Sequence, residues 1–179
     1  SKKIFFNYEY HKLNILEENL KQKFNSVICF SMIHLFQEKN LEIFFKKISN
    51  LLENEGLLIV DPGGSEANLF SLIYDKIYLP AESYLVFLLS KLFGRQRFLF
   101  KKHHGYKFTN KELINIAKNN GFEFLKIEES DYELEFSRSK LLGLLMKKFP
   151  ITKGIFNLLG KFLPYVRIFA FKKINEKNI

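Results

Sequence analysis

The sequence predicts an α/β fold built on parallel strands, and three features of one segment predict it. Ser26–Phe30 and Leu57–Val60 are continuous apolar runs, as strands covered on both faces require. Between them Leu41, Phe44, Phe45, Ile48, Leu51 and Leu52 recur at helical spacing, with Lys46, Lys47 and Asn50 interleaved, the pattern of a helix with one buried stripe. A strand–helix–strand unit of this kind crosses over right-handed and lays its strands parallel. Ligands then sit beyond the carboxyl ends of the strands, which directs attention to Ser31–His34 and Asp61–Gly64.

The remaining elements follow in order. Ile4–Tyr10 is short and aromatic-rich and reads as a strand. Gly56 suits a left-handed stop to the amphipathic helix. Residues 67–104 form a greasy insert, read as two helices broken at Pro80. Thr109 and Glu112 have the spacing of a capping box, opening a helix with Leu113, Ile114 and Ala117 that stops at Gly121. Phe122–Ile127 is a strand, Lys140–Phe149 and Lys153–Leu163 are helices closed by Pro150 and Pro164, and Tyr165–Lys172 is the last strand. The polar segment 173–179 reads as a frayed tail.

The composition is that of a globular chain, with 47% apolar residues among 179. Cys29 is the only cysteine, so no internal disulfide forms, which suits a reducing compartment. No signal peptide and no uncharged apolar stretch of membrane-spanning length is evident. The expected location is cytoplasmic, with association at a membrane surface as a second possibility. The net charge of +9 favours anionic partners. Between Lys91 and Lys118 the cations face only Glu112, which suits either an anionic partner or a solvated surface.

Three stretches, in this order, resemble class I S-adenosylmethionine-dependent methyltransferases. Lys23–Leu35 resembles that family's fourth strand and the loop after it. Leu51–Pro62 resembles the helix end and fifth strand. His104–Leu113, followed by Asn119–Phe122, resembles the segment leading into the sixth strand, and Tyr165–Lys172 fits the seventh. The resemblance implies a Rossmann-like methyltransferase sheet of which only the C-terminal part, strands 3/4 to 7, is present. A helical insert follows the fifth strand and further helices lie between the sixth and seventh. The implied domain covers residues 1–172, with 67–104 as a helical lid and 137–164 as a helical addition.

The departures are informative. The family holds its cofactor with a glycine-rich loop after the first strand and an acidic residue after the second, but here no glycine precedes Gly56. The missing part amounts to about 60 residues, at about 30 per strand–helix unit, and implies truncation at the N-terminus. In the family's strand order, 3-2-1-4-5-7-6, the fourth strand would then become an exposed edge. Ile4–Tyr10, as the third strand, would lose its neighbour.

The resemblance also implies a site for S-adenosyl-L-methionine. Asn14 and Ile15 match the position after the third strand that touches adenine, although Asn14 equally suits an ordinary turn. Phe30, Ser31 and Met32 match the loop beneath the cofactor, or else a strand end packed in the core. His34 matches a position near the methyl-transfer cleft, where an imidazole serves as general base or merely caps a helix. Asp61, His104 and Tyr106, with His103, are candidates for the methyl acceptor's site. One cysteine and scattered histidines show no metal-ligand spacing, so no metal is expected. The insert and the 140–163 helices suit a lid over an apolar pocket, a surface resting on anionic lipid, or simple mutual packing.

The expected activity is therefore methyl transfer to a small apolar or lipid-like molecule. The alternative is a non-catalytic module that binds a partner through its sheet edge or at a membrane surface. Nucleic acid ranks last as a partner, since no recognised motif accompanies the charge.

Overall fold

The computed structural model describes residues 14–18, 20, 22–94 and 106–175. Ile4–Tyr10, His103, His104 and the cations Arg95, Arg97, Lys101 and Lys102 lie outside them. The described chain forms a four-stranded sheet flanked by helices. Its elements are β1 (Phe24–Phe30), α1 (Glu38–Leu51), β2 (Leu52–Asp61), α2 (Leu69–Ile73), α3 (Leu79–Leu92), α4 (Asn110–Asn119), β3 (Phe122–Ser130), α5 (Leu134–Arg138), α6 (Lys140–Lys148), α7 (Thr152–Gly160) and β4 (Val166–Lys173). The spatial order is β1-β2-β4-β3. β1 and β2 run parallel, with Val27 opposite Leu58 and Phe30 opposite Asp61. β4 enters antiparallel between β2 and β3.

Helices α1 and α4 cover one face of this sheet. Leu41, Phe44, Phe45 and Ile48 from α1 join Leu113, Ile116 and Ala117 from α4 and the inward residues Cys29, Leu58, Val60, Phe122, Phe169 and Phe171 in one core. Aromatic rings lock it. Phe45 meets Phe122 and Phe171 edge-on at 5.9 and 6.0 Å. Each such burial is worth about 1.5–3 kcal/mol, beyond which T-shaped pairs add about 0.5–1.5 kcal/mol. The capping box forms as its spacing requires: Thr109 Oγ1 accepts from the Glu112 amide at 3.1 Å, and Glu112 Oε2 accepts from the Thr109 amide at 2.8 Å.

The opposite face is less covered than the sequence suggests. Ile28 and Phe30 are 58% and 59% exposed, and Leu57 and Leu125 are also exposed. Among the described residues β1 pairs only with β2. Among the described residues, then, the continuous apolar run of β1 has one buried face and is paired along one side only.

Two turns also differ from expectation. Helix α1 passes directly into β2, and Gly56 is not a left-handed stop; Glu55 holds that conformation instead, at φ 63°. The pairing of β1 with β2 shifts register between Phe24 and Ser26. Gly56 is needed there because a Cβ would stand 2.9 Å from Glu53 O and 3.1 Å from Asn25 O. In the insert, Pro80 does not break the helix. A π-helical turn, Tyr74–Tyr78, widens the backbone just ahead of it, and the Leu79 amide reaches back to Tyr74 O. The proline then falls at the start of α3, where its missing donor does no harm.

Lys173, read as the start of the tail, is instead the buried end of β4. Its Nζ donates to Leu52 O at 3.1 Å, at the carboxyl end of α1, where a cation is favoured.

The insert packs on the late helices. Tyr74, Leu79, Phe136 and Leu163 form a second core with Phe70, Leu142, Met146 and Phe156 around it. Buried Glu82 of α3 accepts from Ser139 Oγ at 2.8 Å and from the Leu141 amide at 2.6 Å, so a carboxylate sits at the amino end of α6. Hydrogen bonds to a charged acceptor are worth about 1.5–3 kcal/mol. Glu82→Ala is accordingly expected to lower the urea midpoint by the equivalent of about 2 kcal/mol. A change below about 0.5 kcal/mol would show that the two helical groups associate without this link.

Candidate functional site

The site lies where β1 and β2 end side by side. After Phe30 the chain turns sharply at Ser31, a non-glycine residue held at φ 51°. Such outliers persist only where surroundings hold them. Here the Ser31 amide donates to Asp61 O at 2.9 Å, and Ser31 Oγ lies 3.4 Å from Asp61 Oδ2. Asp61 Oδ1 accepts from the Gly63 amide at 2.8 Å, which closes the turn after β2.

His34 stands between these turns. It belongs to a single 3-10 turn, Ile33–Leu35. Its amide donates to Pro62 O at 2.9 Å, and its carbonyl accepts from the Tyr106 amide at 2.7 Å. Three segments distant in sequence thus meet at one residue. The imidazole lies against Gly63, where a Cβ would collide with His34 Nδ1. That Nδ1 is buried without a hydrogen-bond partner among the described residues. An unpaired buried nitrogen is costly.

Behind this loop is Arg167, fully buried in β4. Its Nε donates to Gly64 O at 3.1 Å, and one terminal nitrogen donates to Asn110 Oδ1 at 2.7 Å and Phe108 O at 3.4 Å. Burial pushes its pKa down to about 10, against the opposing influence of Glu66, Glu129 and Asp61. The guanidinium still carries its charge at neutral pH.

Ile15, Phe30 and Met32, all expected to contact the cofactor, line one apolar trough of about 450 Å³ along β1. Asn14 and Ser31 are not among its lining residues. Asn14 Oδ1 accepts from the Leu16 amide at 3.1 Å, making a local turn. Tyr106 and Asp61, both expected at the acceptor's site, do not line one cavity. Tyr106 lines a second cleft of about 780 Å³, formed with Leu69, Leu72, Asp75, Lys76 and Lys107, whereas Asp61 stays at the strand ends. In the second cleft Lys107 Nζ pairs with Asp75 Oδ2 and donates to Ser65 Oγ at 2.8 Å, while Asp75 Oδ1 is buried without a hydrogen-bond partner among the described residues.

Sequence reasoning missed Arg167, Asp75 and the role of Gly63. A lone cation inside an apolar strand and a lone acid inside a greasy insert were the available signals.

Cys29 borders the site on β1. Burial, then the charge of Asp61, pushes its thiol up to about 11 from 9.0. At pH 8 the folded chain therefore holds about a hundredfold less thiolate than the unfolded chain. Alkylation by iodoacetamide is expected to slow by at least that factor relative to urea-unfolded chain; equal rates would mean that the seam between β1 and α1 opens readily. The same shift stabilises the fold fully below about pH 9, and this contribution disappears as pH rises through about 11.

No protein-family model matches the chain, and no curated protein matches it. Solved structures do. The chain is similar to the cyclopropane synthase MmaA2 from Mycobacterium tuberculosis, with a TM-score of 0.51 and 12% identity over 86% of this chain and 57% of that one. It is similar to an S-adenosylmethionine-dependent methyltransferase from Methanosarcina mazei, with a TM-score of 0.50 and 14% identity over 92% of this chain and 66% of that one. The methyltransferase SibL in its apo form matches at a TM-score of 0.52 and 8% identity, over 92% of this chain and 35% of that one. The chain thus spans between about a third and two thirds of the length of these structures. The fold is that of class I S-adenosylmethionine-dependent methyltransferases. The order β1-β2-β4-β3 corresponds to the 4-5-7-6 part of that sheet.

Proposed function

We propose that the chain is the acceptor-side part of an enzyme that transfers a methyl group from S-adenosylmethionine to a small, apolar or lipid-like molecule. The observation that carries this reading is the strand order, with β4 reversed between β2 and β3 and the Ser31–Asp61 turns at the ends of the parallel pair. Ligands bind at that end of such sheets.

The residues present fit one side of the cofactor. Ile15, Phe30 and Met32 offer an apolar wall for adenine. The glycine-rich side has no counterpart in residues 1–55. When bound, the cofactor supplies an electrophilic methyl group on a sulfonium. The chain's own part is to hold the acceptor in line and to take its proton. In this reading His34 takes that proton. The cleft beside Tyr106, with Leu69 and Leu72 on its walls and the Asp75–Lys107 pair at its side, suits an acceptor with an apolar body and one polar group.

One observation favours the non-catalytic reading: without a glycine in residues 1–55 the phosphate-free cofactor would have little backbone to approach closely. Calorimetric titration with S-adenosylhomocysteine separates the two. The chain carrying the natural sequence upstream of Ser1 is expected to bind, and His34→Asn to keep binding while methyl transfer falls about a hundredfold or more. Absence of binding with the upstream sequence present would favour the non-catalytic module.

A further inference from the structure

We propose that α6 and α7 form a docking surface for an anionic lipid membrane. The inference does not rest on methyl transfer.

Each of these helices has two apolar faces. Leu142, Met146 and Phe156 point inward and pack around Phe136 and Leu163. On α7 and its flanks, Ile151, Ile155, Leu158 and Phe162 recur at intervals of four, three and four residues, the spacing of a single helical stripe. Most of that stripe points outward: Ile151, Ile155 and Leu158 are 87%, 60% and 62% exposed, and Phe162, whose ring also meets Phe70 at 5.8 Å, is 56% exposed. Leu144 of α6 and Phe149 of the connecting turn are exposed as well, at 63% and 49%. An apolar stripe at helical spacing normally faces the core. One that faces water beside an already filled core marks an interaction site.

Charge selects the occupant. From Ser139 to Asn175 the sequence has no Asp or Glu. Lys140, Lys147, Lys148 and Lys161 are exposed around the apolar stripe, and Lys153 is paired with Glu133 at 2.9 Å. A second copy of the chain would set this predominantly basic face against itself, and like charges in juxtaposition oppose such a pair. An anionic bilayer satisfies both features. Apolar side chains enter the acyl boundary while lysines meet phosphate headgroups. Among the described residues no helix is long and apolar enough to cross a membrane, so the contact is one of lying on the surface.

Co-sedimentation with vesicles tests this. The chain is expected to bind phosphatidylcholine mixed with phosphatidylglycerol, to bind phosphatidylcholine alone far less, and to be released by salt. Lys147→Gln and Lys148→Gln should each weaken partitioning about fivefold. Leu158→Asp should weaken it about tenfold or more while leaving the thermal unfolding curve in place, because the side chain is exposed. The sequence has no tryptophan, so Ile151→Trp gives a single reporter whose emission should shift to the blue on vesicle addition. The proposal is overturned if neither vesicle binds, if Leu158→Asp binds as its parent does, or if the reporter's emission stays unchanged. It is equally overturned if gel filtration shows a dimer that Leu158→Asp dissolves while vesicles are ignored.

Discussion

Arg167→Met is expected to lower the stability of the chain by about 3–5 kcal/mol. The guanidinium is buried with three acceptors around it, Gly64 O, Phe108 O and Asn110 Oδ1. Methionine fills similar space but leaves Gly64 O and Asn110 Oδ1 without their donor, while Phe108 O keeps the Ala67 amide at 3.2 Å; an unpaired buried acceptor costs about 1–3 kcal/mol. Arg167→Lys keeps the charge but lacks the planar fork that reaches three directions, so it should recover only part of the loss. Equilibrium urea unfolding gives both values. A loss below about 1 kcal/mol for the methionine variant would mean that the loop after β2 is held by something other than this side chain. The effect should also reach the site, because Gly64 follows directly on the turn that Asp61 closes.

The second large effect is expected at Gly63. Its φ is 78°, and a Cβ would strike the His34 imidazole and stand 3.2 Å from Ser31 Cα. Gly63→Val combines left-handed backbone strain of about 1–2 kcal/mol with overpacking of about 1–3 kcal/mol. The imidazole has little room to retreat, since its residue is pinned at both amide and carbonyl. Gly64→Ala is the matched control: φ is 94° but nothing lies within 4 Å of the added Cβ, so only the backbone strain remains. Thermal unfolding, together with the His34 ring signals in NMR, should separate the pair. Equal effects of the two substitutions would show that Gly63 serves the backbone alone and does not position His34.

Much of the scaffold was legible because its signals are local. Leu41 to Leu52 announce α1 by period, Thr109 and Glu112 announce α4 by a box four residues long, and Val27 and Leu58 pair in parallel as the unit they flank requires. Where the signals mislead, the deciding contact is distant or ambiguous. Gly56 reads equally well as a left-handed stop and as a place of close approach, and the carbonyls of Glu53 and, across the sheet, Asn25 decide for the second. Pro80 reads as a break because a π turn leaves no mark of its own in the sequence. The five residues of α5 are too few to show a period. In the site, His34 and Tyr106 were singled out, and the structure joins them by a backbone bond. Arg167 was not, because its partners at Gly64, Phe108 and Asn110 are remote in sequence and include two bare carbonyls that no side-chain pattern can advertise.

The place of β4 bears on how the molecule comes together. Leu57 of β2 and Phe122 of β3 touch the same strand, opposite Lys172 and Lys173, and not each other. Until residues 166–173 have emerged and threaded in, the sheet is in two unpaired pieces, a parallel pair and β3, which meet only through side chains such as Phe45 and Phe122. Folding should therefore be slow for a chain of this size, since loop closure over such separations precedes most of the reward. Clipping the chain ahead of Val166 would separate the pieces again, however intact the loops around His34.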